Sequence, residues 1–445
     1  MKSVLIVGGG IAGITAAFNL SKAGFQVKIF EAVNNLGGRL TALFDSKSGD
    51  MIDNGQHALM TAYHTFLELI KECDTLNLLN IQKSLEVVYY DTNQNKSRLF
   101  AGFLPGKAGF ILGFLMLGGL SINSKINIIK LIRKIENNQI NDIENLTCLS
   151  FLKKYNQTDE AIIRFWEPFI IATMNCPIKI ASAEILVKIL KRAFIENLDN
   201  SKLILPKSDF KYLLEPLINK LKSQGVEIFT SKKIDKIYFS NESTLSVTTT
   251  NGENYQADYI ISALQPFSLF KILPEELKPS FAYLEKFKYS PILSAYIWTD
   301  VEIFSEDFIS ALGTDIQWIF NRNKLIKEGL SKTYPFSYSI TVSSAFELSK
   351  LKQGEVIEMI TEDIKKLFPD FSQSNILHYR IITEKFATFI ADPESEKIRP
   401  FAKTHINNFF LAGDWTNTKL PATIEGASLS GKIAAEMIID NLNIS

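Results

Sequence analysis

Three glycines, Gly8, Gly10 and Gly13, stand in the spacing G-x-G-x-x-G straight after an apolar run at residues 4–7. An acid, Glu31, follows Gly10 by 21 residues, and a second apolar run at 27–30 leads into it. Those residue types at those distances suit a dinucleotide. Gly8 permits the tight turn, Gly10 lets the backbone approach a pyrophosphate, and Gly13 lets helix and strand pack closely. The amides of Ile11, Ala12 and Gly13 open a helix, so they offer free N–H donors and partial positive charge to phosphate. Glu31 would accept hydrogen bonds from a ribose diol. Further on, Gly37-Gly38-Arg39 can bend beside a phosphate and supply a charge-assisted donor. Asp414 ends the apolar stretch Phe409-Phe-Leu-Ala-Gly413 and can bind a polyol hydroxyl. The helix predicted after Pro421 carries small residues, and its start could point at a flavin ring.

The elements that must position these residues follow from hydrophobic period. Residues 1–60 read as a βαβ unit with a loop. Residues 61–200 read mainly as helices, over 65–78, 124–137, 149–155, 159–170, 182–195 and, beyond them, 209–224. Strands are expected at 226–229, 233–239, 245–250 and 259–263, with Asn251-Gly252 as a hairpin turn. Strands at 291–298, 336–343, 378–383 and 409–412 and helices at 354–368 and 423–441 complete the pattern. The fold class is α/β and α+β, a Rossmann cofactor domain with an inserted substrate domain of mixed sheet and helices. Segments 1–80, 205–265 and 400–445 make the cofactor domain. Segments 81–204 and 266–399 make the substrate domain with a helical cap.

The net charge of the 445 residues is zero, which leaves no electrostatic footprint for nucleic acid. Three cysteines, widely spaced, suggest neither a disulfide framework nor a zinc cluster and fit a cytoplasmic protein. Four scattered histidines make no metal site. The glycine-rich start is not a signal peptide. Residues 108–122 carry no charge but fall short of the ~20 needed to span a bilayer. They read either as a buried helix or as an interfacial helix on the inner face of the membrane through which a lipid substrate enters.

Taken together, these blocks resemble the glutathione-reductase-like FAD superfamily in its amine oxidase and carotenoid desaturase branch. That resemblance implies FAD. It also implies that the backbone of Ile234 meets adenine, that Gly38, Arg39, Gly413 and Asp414 flank the pyrophosphate and ribityl chain, and that Thr423 and Ile424 meet the flavin. A closer resemblance is to the hydroxysqualene dehydroxylases. It is carried by Asp53-Asn-Gly-Gln-His57, Phe165-Trp-Glu-Pro168 through Asn175-Cys-Pro177, Glu384–Phe389, Arg399-Pro400 and Ala412-Gly-Asp-Trp-Thr416 with Leu420–Glu425. Asn54, Gly55 and Gln56 would then line the cofactor. Phe386 stands where arginine is expected and Lys419 where glycine is expected.

That family removes the hydroxyl of hydroxysqualene reductively, giving squalene. The alcohol is allylic, so hydride addition at carbon needs a proton on the departing oxygen and exclusion of water. His57, whose ordinary pKa suits proton transfer at neutral pH, is the first candidate acid. It can equally fix its loop or contact FAD. Asp53 is the second, with a turn-forming role as its alternative. Asn175 and Glu425 are further polar groups that could face the ring, and 32 phenylalanines would suit an isoprenoid tunnel. Other readings are a carotenoid-type desaturase or isomerase, an amine oxidase, and a flavin-free prenyl-lipid carrier of the GDI kind. The electron donor is unspecified, since no second nucleotide motif is present.

Overall fold

A computed structural model of the chain describes residues 2–239, 245–326 and 329–443. Residues 1, 240–244, 327–328 and 444–445, which fall within the segments assigned above to the two domains, lie outside it. The N-terminal apolar run forms strand Ser3–Val7, whose Val4 to Ile6 are almost wholly buried. Such a strand reads as a continuous apolar run because helices or other layers cover both of its faces. It lies at the centre of a parallel sheet ordered Glu227–Phe229, Gln26–Phe30, Ser3–Val7, Tyr259–Ser262, Phe409–Leu411. One sheet thus draws its strands from the start, middle and end of the chain, as the sequence pattern implies. Helices Ile11–Lys22 and Ile424–Asn443 pack together so closely that a Cβ on Gly431 would stand 2.1 Å from the Ala12 carbonyl oxygen.

A second sheet of seven strands runs in the order Ile376–Phe389, Tyr289–Thr299, Phe336–Ser343, Trp318–Asn321, Phe308–Leu312, Glu86–Asp91, Lys96–Phe100. Side chains alternate across it. Leu293, Ala295 and Ile297 pack under helix Gln353–Leu367, through Ile357, Ile360 and Ile364. Ile292, Thr341 and Ser343 face the opposite way, into a cavity roofed by helices between residues 106 and 195.

The region 61–200 is less uniformly helical than its pattern suggests. Val87-Val88-Tyr89-Tyr90 belongs to a hairpin, Glu86–Asp91 with Lys96–Phe100, which extends the seven-stranded sheet. Its β-branched and aromatic residues and polar turn are the signal that marks it. The loop after Glu31 also folds back, as Ala42–Asp45 paired with Asp50–Asp53. The helix expected over 65–78 ends at Glu72, and a separate short turn follows at Leu76–Leu78.

Candidate active site

Around the glycine turn the geometry is that of an anion cradle. Gly8 holds φ at +111°, a conformation that L side chains rarely adopt. A Cβ on Gly13 would sit 2.1 Å from the Gly8 carbonyl oxygen, whereas a Cβ on Gly10 would meet nothing nearer than the Gly38 Cα at 4.0 Å. Gly10 therefore faces open space between two glycine segments, and a Gly10–Gly37 bridge brings those segments together. Gly10 caps helix Ile11–Lys22 without a side-chain bond, which leaves the first amides free for phosphate. The Glu31 carboxylate is oriented by the amides of Gly9 at 2.8 Å and Val33 at 3.1 Å. The amides of Ser231 and Lys232 bond the carbonyls of Val33 and Glu31, so the strand that opens at Ile234 lies alongside. These residues fit a dinucleotide, with room at Gly10 that a side chain would fill.

Arg39 reaches from the second glycine segment to Asp414 at 2.8 Å and to the Ala387 carbonyl at 2.5 Å. Arg399, fully buried, holds the loop after Asp414 by donating to the carbonyls of Asp414, Thr416 and Leu420. Thr423 receives the Gly426 amide at 3.0 Å and so caps the helix beginning at Ile424. Tyr63 is half-buried and lines the same cavity as Thr423.

The segment Asp53–His57 threads between both domains. The Asn54 amide bonds Thr41, Gly55 abuts Ser294 of the large sheet, and Gln56 and His57 line the cavity. Asn54 Oδ1 and His57 Nε2 are buried without a hydrogen-bond partner among the described residues. The His57 ring lies edge-on to Phe210, centroids 4.9 Å apart. Burial, with the Arg39 charge second, pushes its pKa down to about 4. The sequence argument from an ordinary histidine pKa therefore does not hold: the imidazole is neutral at pH 7.

Asp53 stands apart from the cavity lining. Its Oδ1 accepts the Phe210 amide at 3.0 Å, at the start of helix Phe210–Ser223, and its carbonyl accepts the Tyr296 hydroxyl at 2.9 Å. Burial first, and then neighbouring Asp209, push its carboxyl up to about 8. This is a scaffold position, and it corrects the expectation that Asp53 meets substrate. Asn175 and Glu425 do line the cavity, but their polar atoms bond other parts of the protein. Asn175 bonds Thr388, Ser290 and Ser344, pinning the helical cap to the sheet. Glu425 accepts from Thr65, Phe66 and Arg192, the last at 2.6 Å. Sequence reasoning had no local signal for either, since the partners are distant in the chain.

The cavity measures about 1090 Å³. Gln56, His57, Tyr63 and Thr423 contribute to its wall from the nucleotide side, and Phe110, Phe114, Phe165, Phe169, Phe194 and Trp318 from the cap and sheet. Pockets of drug-sized ligands run ~300–1,000 Å³, so a long flexible molecule fits.

A Rossmann cradle facing a large apolar cavity under a helical cap defines a flavin oxidoreductase of the amine oxidase type. The chain belongs to the flavin-containing amine oxidoreductase family, whose profile matches residues 11–439, and FAD is its cofactor. Among known proteins it is 26% identical to the hydroxysqualene dehydroxylase of Zymomonas mobilis, over 99% of this chain and 100% of that one. It is 25% identical to the 15-cis-phytoene desaturase of Arabidopsis thaliana, over 99% of this chain and 80% of that one. In fold it is similar to an oxidoreductase from Methanosarcina mazei, with TM-score 0.75 at 19% identity, covering 98% of this chain and 100% of that one.

Proposed function

We propose that the protein reductively removes the allylic hydroxyl of hydroxysqualene, releasing squalene and water. The observation that carries this reading is the largely apolar, aromatic-rich wall of a cavity of about 1090 Å³ that includes His57 and Thr423 in its lining. The full-length similarity to a hydroxysqualene dehydroxylase supports it. In the reaction the C–O bond breaks, a C–H bond forms from hydride, and the oxygen leaves with one added proton as water.

FAD, when bound and reduced, supplies the hydride. The turn Gly8–Gly13 with the amides of Ile11 and Ala12 would hold its pyrophosphate, Glu31 its ribose and the backbone of Ile234 its adenine. Gly38, Arg39, Gly413 and Asp414 would flank the linker, and Asn54, Gly55, Gln56, Thr423 and Ile424 the ring. The phenylalanine-rich cap excludes water, so the allylic cation meets hydride rather than hydroxide. His57 passes the proton to the departing oxygen. Because burial holds it neutral, its acid form is a minor one whose share grows as pH falls.

Full-length similarity to a phytoene desaturase favours a second reading, in which a related polyene loses hydrogen instead. One experiment separates them. The purified enzyme is reduced anaerobically with dithionite and given hydroxysqualene, and, in the oxidised state, phytoene. Squalene in the first sample supports the dehydroxylase; desaturated phytoene in the second, without squalene in the first, overturns it.

A further inference from the structure

Helix Gly106–Met116 makes its closest packing through glycines. Its small residues face inward: a Cβ on Gly109 would stand 1.8 Å from the Leu104 carbonyl oxygen, and one on Gly113 2.0 Å from that of Phe100. The helix backbone therefore lies directly on the end of the hairpin, with no space between for large side chains. The last two side chains of the helix project outward: Leu115 is 44% exposed and Met116 59%, and in the same cap Phe103, Leu104, Ile122 and Ile163 are 45%, 49%, 75% and 62% exposed. None of these six lines the cavity, yet Phe110, Ile111 and Phe114 of the same helix do. One helix thus forms both a cavity wall and an external apolar face, and the exposed cavity-lining residues Lys107, Gly118 and Gly119 open the cavity beside that face. Apolar side chains exposed in this number beside a cavity opening mark an interaction site.

Charge selects the partner. Between residues 106 and 136 stand five basic residues against one acid, in a chain whose net charge is zero. Lys107 pairs with that acid, Glu136, and Lys125 is buried, which leaves Lys130, Arg133 and Lys134 exposed. Lys125 closes the C-terminal end of the helix by donating to the Leu115 carbonyl at 2.7 Å, and so fixes the face in place. Among the described residues no helix is long and apolar enough to cross a membrane. We propose that this face docks on an anionic lipid bilayer, with the apolar side chains seated at the acyl boundary, the exposed Lys130, Arg133 and Lys134 against headgroups and the cavity opening toward the lipid. The proposal deepens the reading of the cavity as the seat of a long apolar substrate and rests on it for what passes through the opening.

The test is sedimentation of the FAD-loaded protein with vesicles of phosphatidylcholine containing phosphatidylglycerol. The wild type should pellet with them, and Leu115→Glu/Met116→Glu should cut binding by about tenfold or more, since each substitution puts a charge at the acyl boundary. The double variant should keep its flavin absorbance and its turnover of detergent-dispersed substrate. A wild type left in the supernatant, or a double variant that binds equally, overturns the proposal. So does a wild-type dimer in ultracentrifugation that the double variant dissolves, for then a second copy covers the face. Vesicle binding without squalene formation would sink only the substrate reading; squalene formation in detergent without vesicle binding would sink only this one.

Discussion

Asp53 separates a scaffold from an acid by a conservative substitution. Its carboxyl, raised to about 8, carries a proton in the folded protein at neutral pH while Oδ1 accepts the Phe210 amide. Asp53→Asn keeps that acceptor and removes the titration. Asp53→Ala leaves a buried amide unpaired at a helix start, a loss of about 1–3 kcal/mol. The pH dependence follows from linkage. An unfolded aspartate loses its proton near ~3.9, the folded one near 8, so between those values the folded state binds one proton more. Wild-type stability therefore falls as pH rises through this window and levels off above it. From pH ~5 to ~8 the slope of ~1.36 kcal/mol per unit sums to about 4 kcal/mol as a ceiling.

Urea unfolding of wild type and Asp53→Asn at both pH values measures this. The variant should gain on the wild type by up to that amount, keep bound FAD, and turn over within about threefold of wild type, because the carboxyl does not line the cavity. Parallel stability curves would show that the carboxyl titrates normally. An Asn variant that is stable and yellow but inactive would restore Asp53 as an acid and refute the scaffold assignment.

Other outcomes follow from the same geometry. If His57 supplies the proton, turnover should rise about tenfold per pH unit on acidification toward its pKa of about 4, and His57→Ala should lose that slope; a flat wild-type profile rejects the role. Gly10→Ala, whose Cβ meets only the Gly38 Cα at 4.0 Å, should leave the thermal stability of the FAD-free protein unchanged and weaken FAD in titrations. Gly13→Ala, at 2.1 Å from the Gly8 oxygen, should destabilise the protein with or without FAD. Lys419 holds φ at 62°, where a Cβ costs about 1–2 kcal/mol, so Lys419→Gly should raise the unfolding free energy by about 0.5–1 kcal/mol after glycine's larger chain entropy is subtracted. Glu425→Ala strands Arg192 and three further donors and should cost about 3–5 kcal/mol in denaturant unfolding.

What is legible in this sequence is what neighbours in the chain decide. The glycine turn, Glu31 and the first two strands of the parallel sheet rest on spacing within one βαβ unit, and the strands pair side by side as that spacing implies. Lys419 belongs to the same class: glycine is expected there, and the left-handed backbone gives the reason. Asp53, Asn175 and Glu425 are of another kind. A polar residue near a motif looks available for chemistry until its partners are known, and theirs lie 157, 213 and 360 positions away. His57 keeps its place at the cavity but not its ordinary acidity, because burial and Arg39 are products of the tertiary fold.

The segment 108–122 gives this limit its sharpest form. Its composition is equally that of a core helix and of a surface one, and no periodicity of its apolar residues separates the two, since nearly all of them are apolar. The deciding residues are the ones without side chains. Gly109 and Gly113 lie one turn apart and mark the side on which the helix backbone meets its neighbour, which leaves the bulky residues to the cavity wall, as Phe110, Ile111 and Phe114, and to the exposed end of the helix, as Leu115 and Met116. A glycine pair at i, i+4 in an apolar helix therefore predicts which side makes close backbone contact, provided something with exposed backbone lies ready to receive it. Here the hairpin ending at Phe100 does. That hairpin is also the element the helical reading of residues 61–200 passed over, so the one omission hid both the sheet edge and the orientation of the helix resting on it.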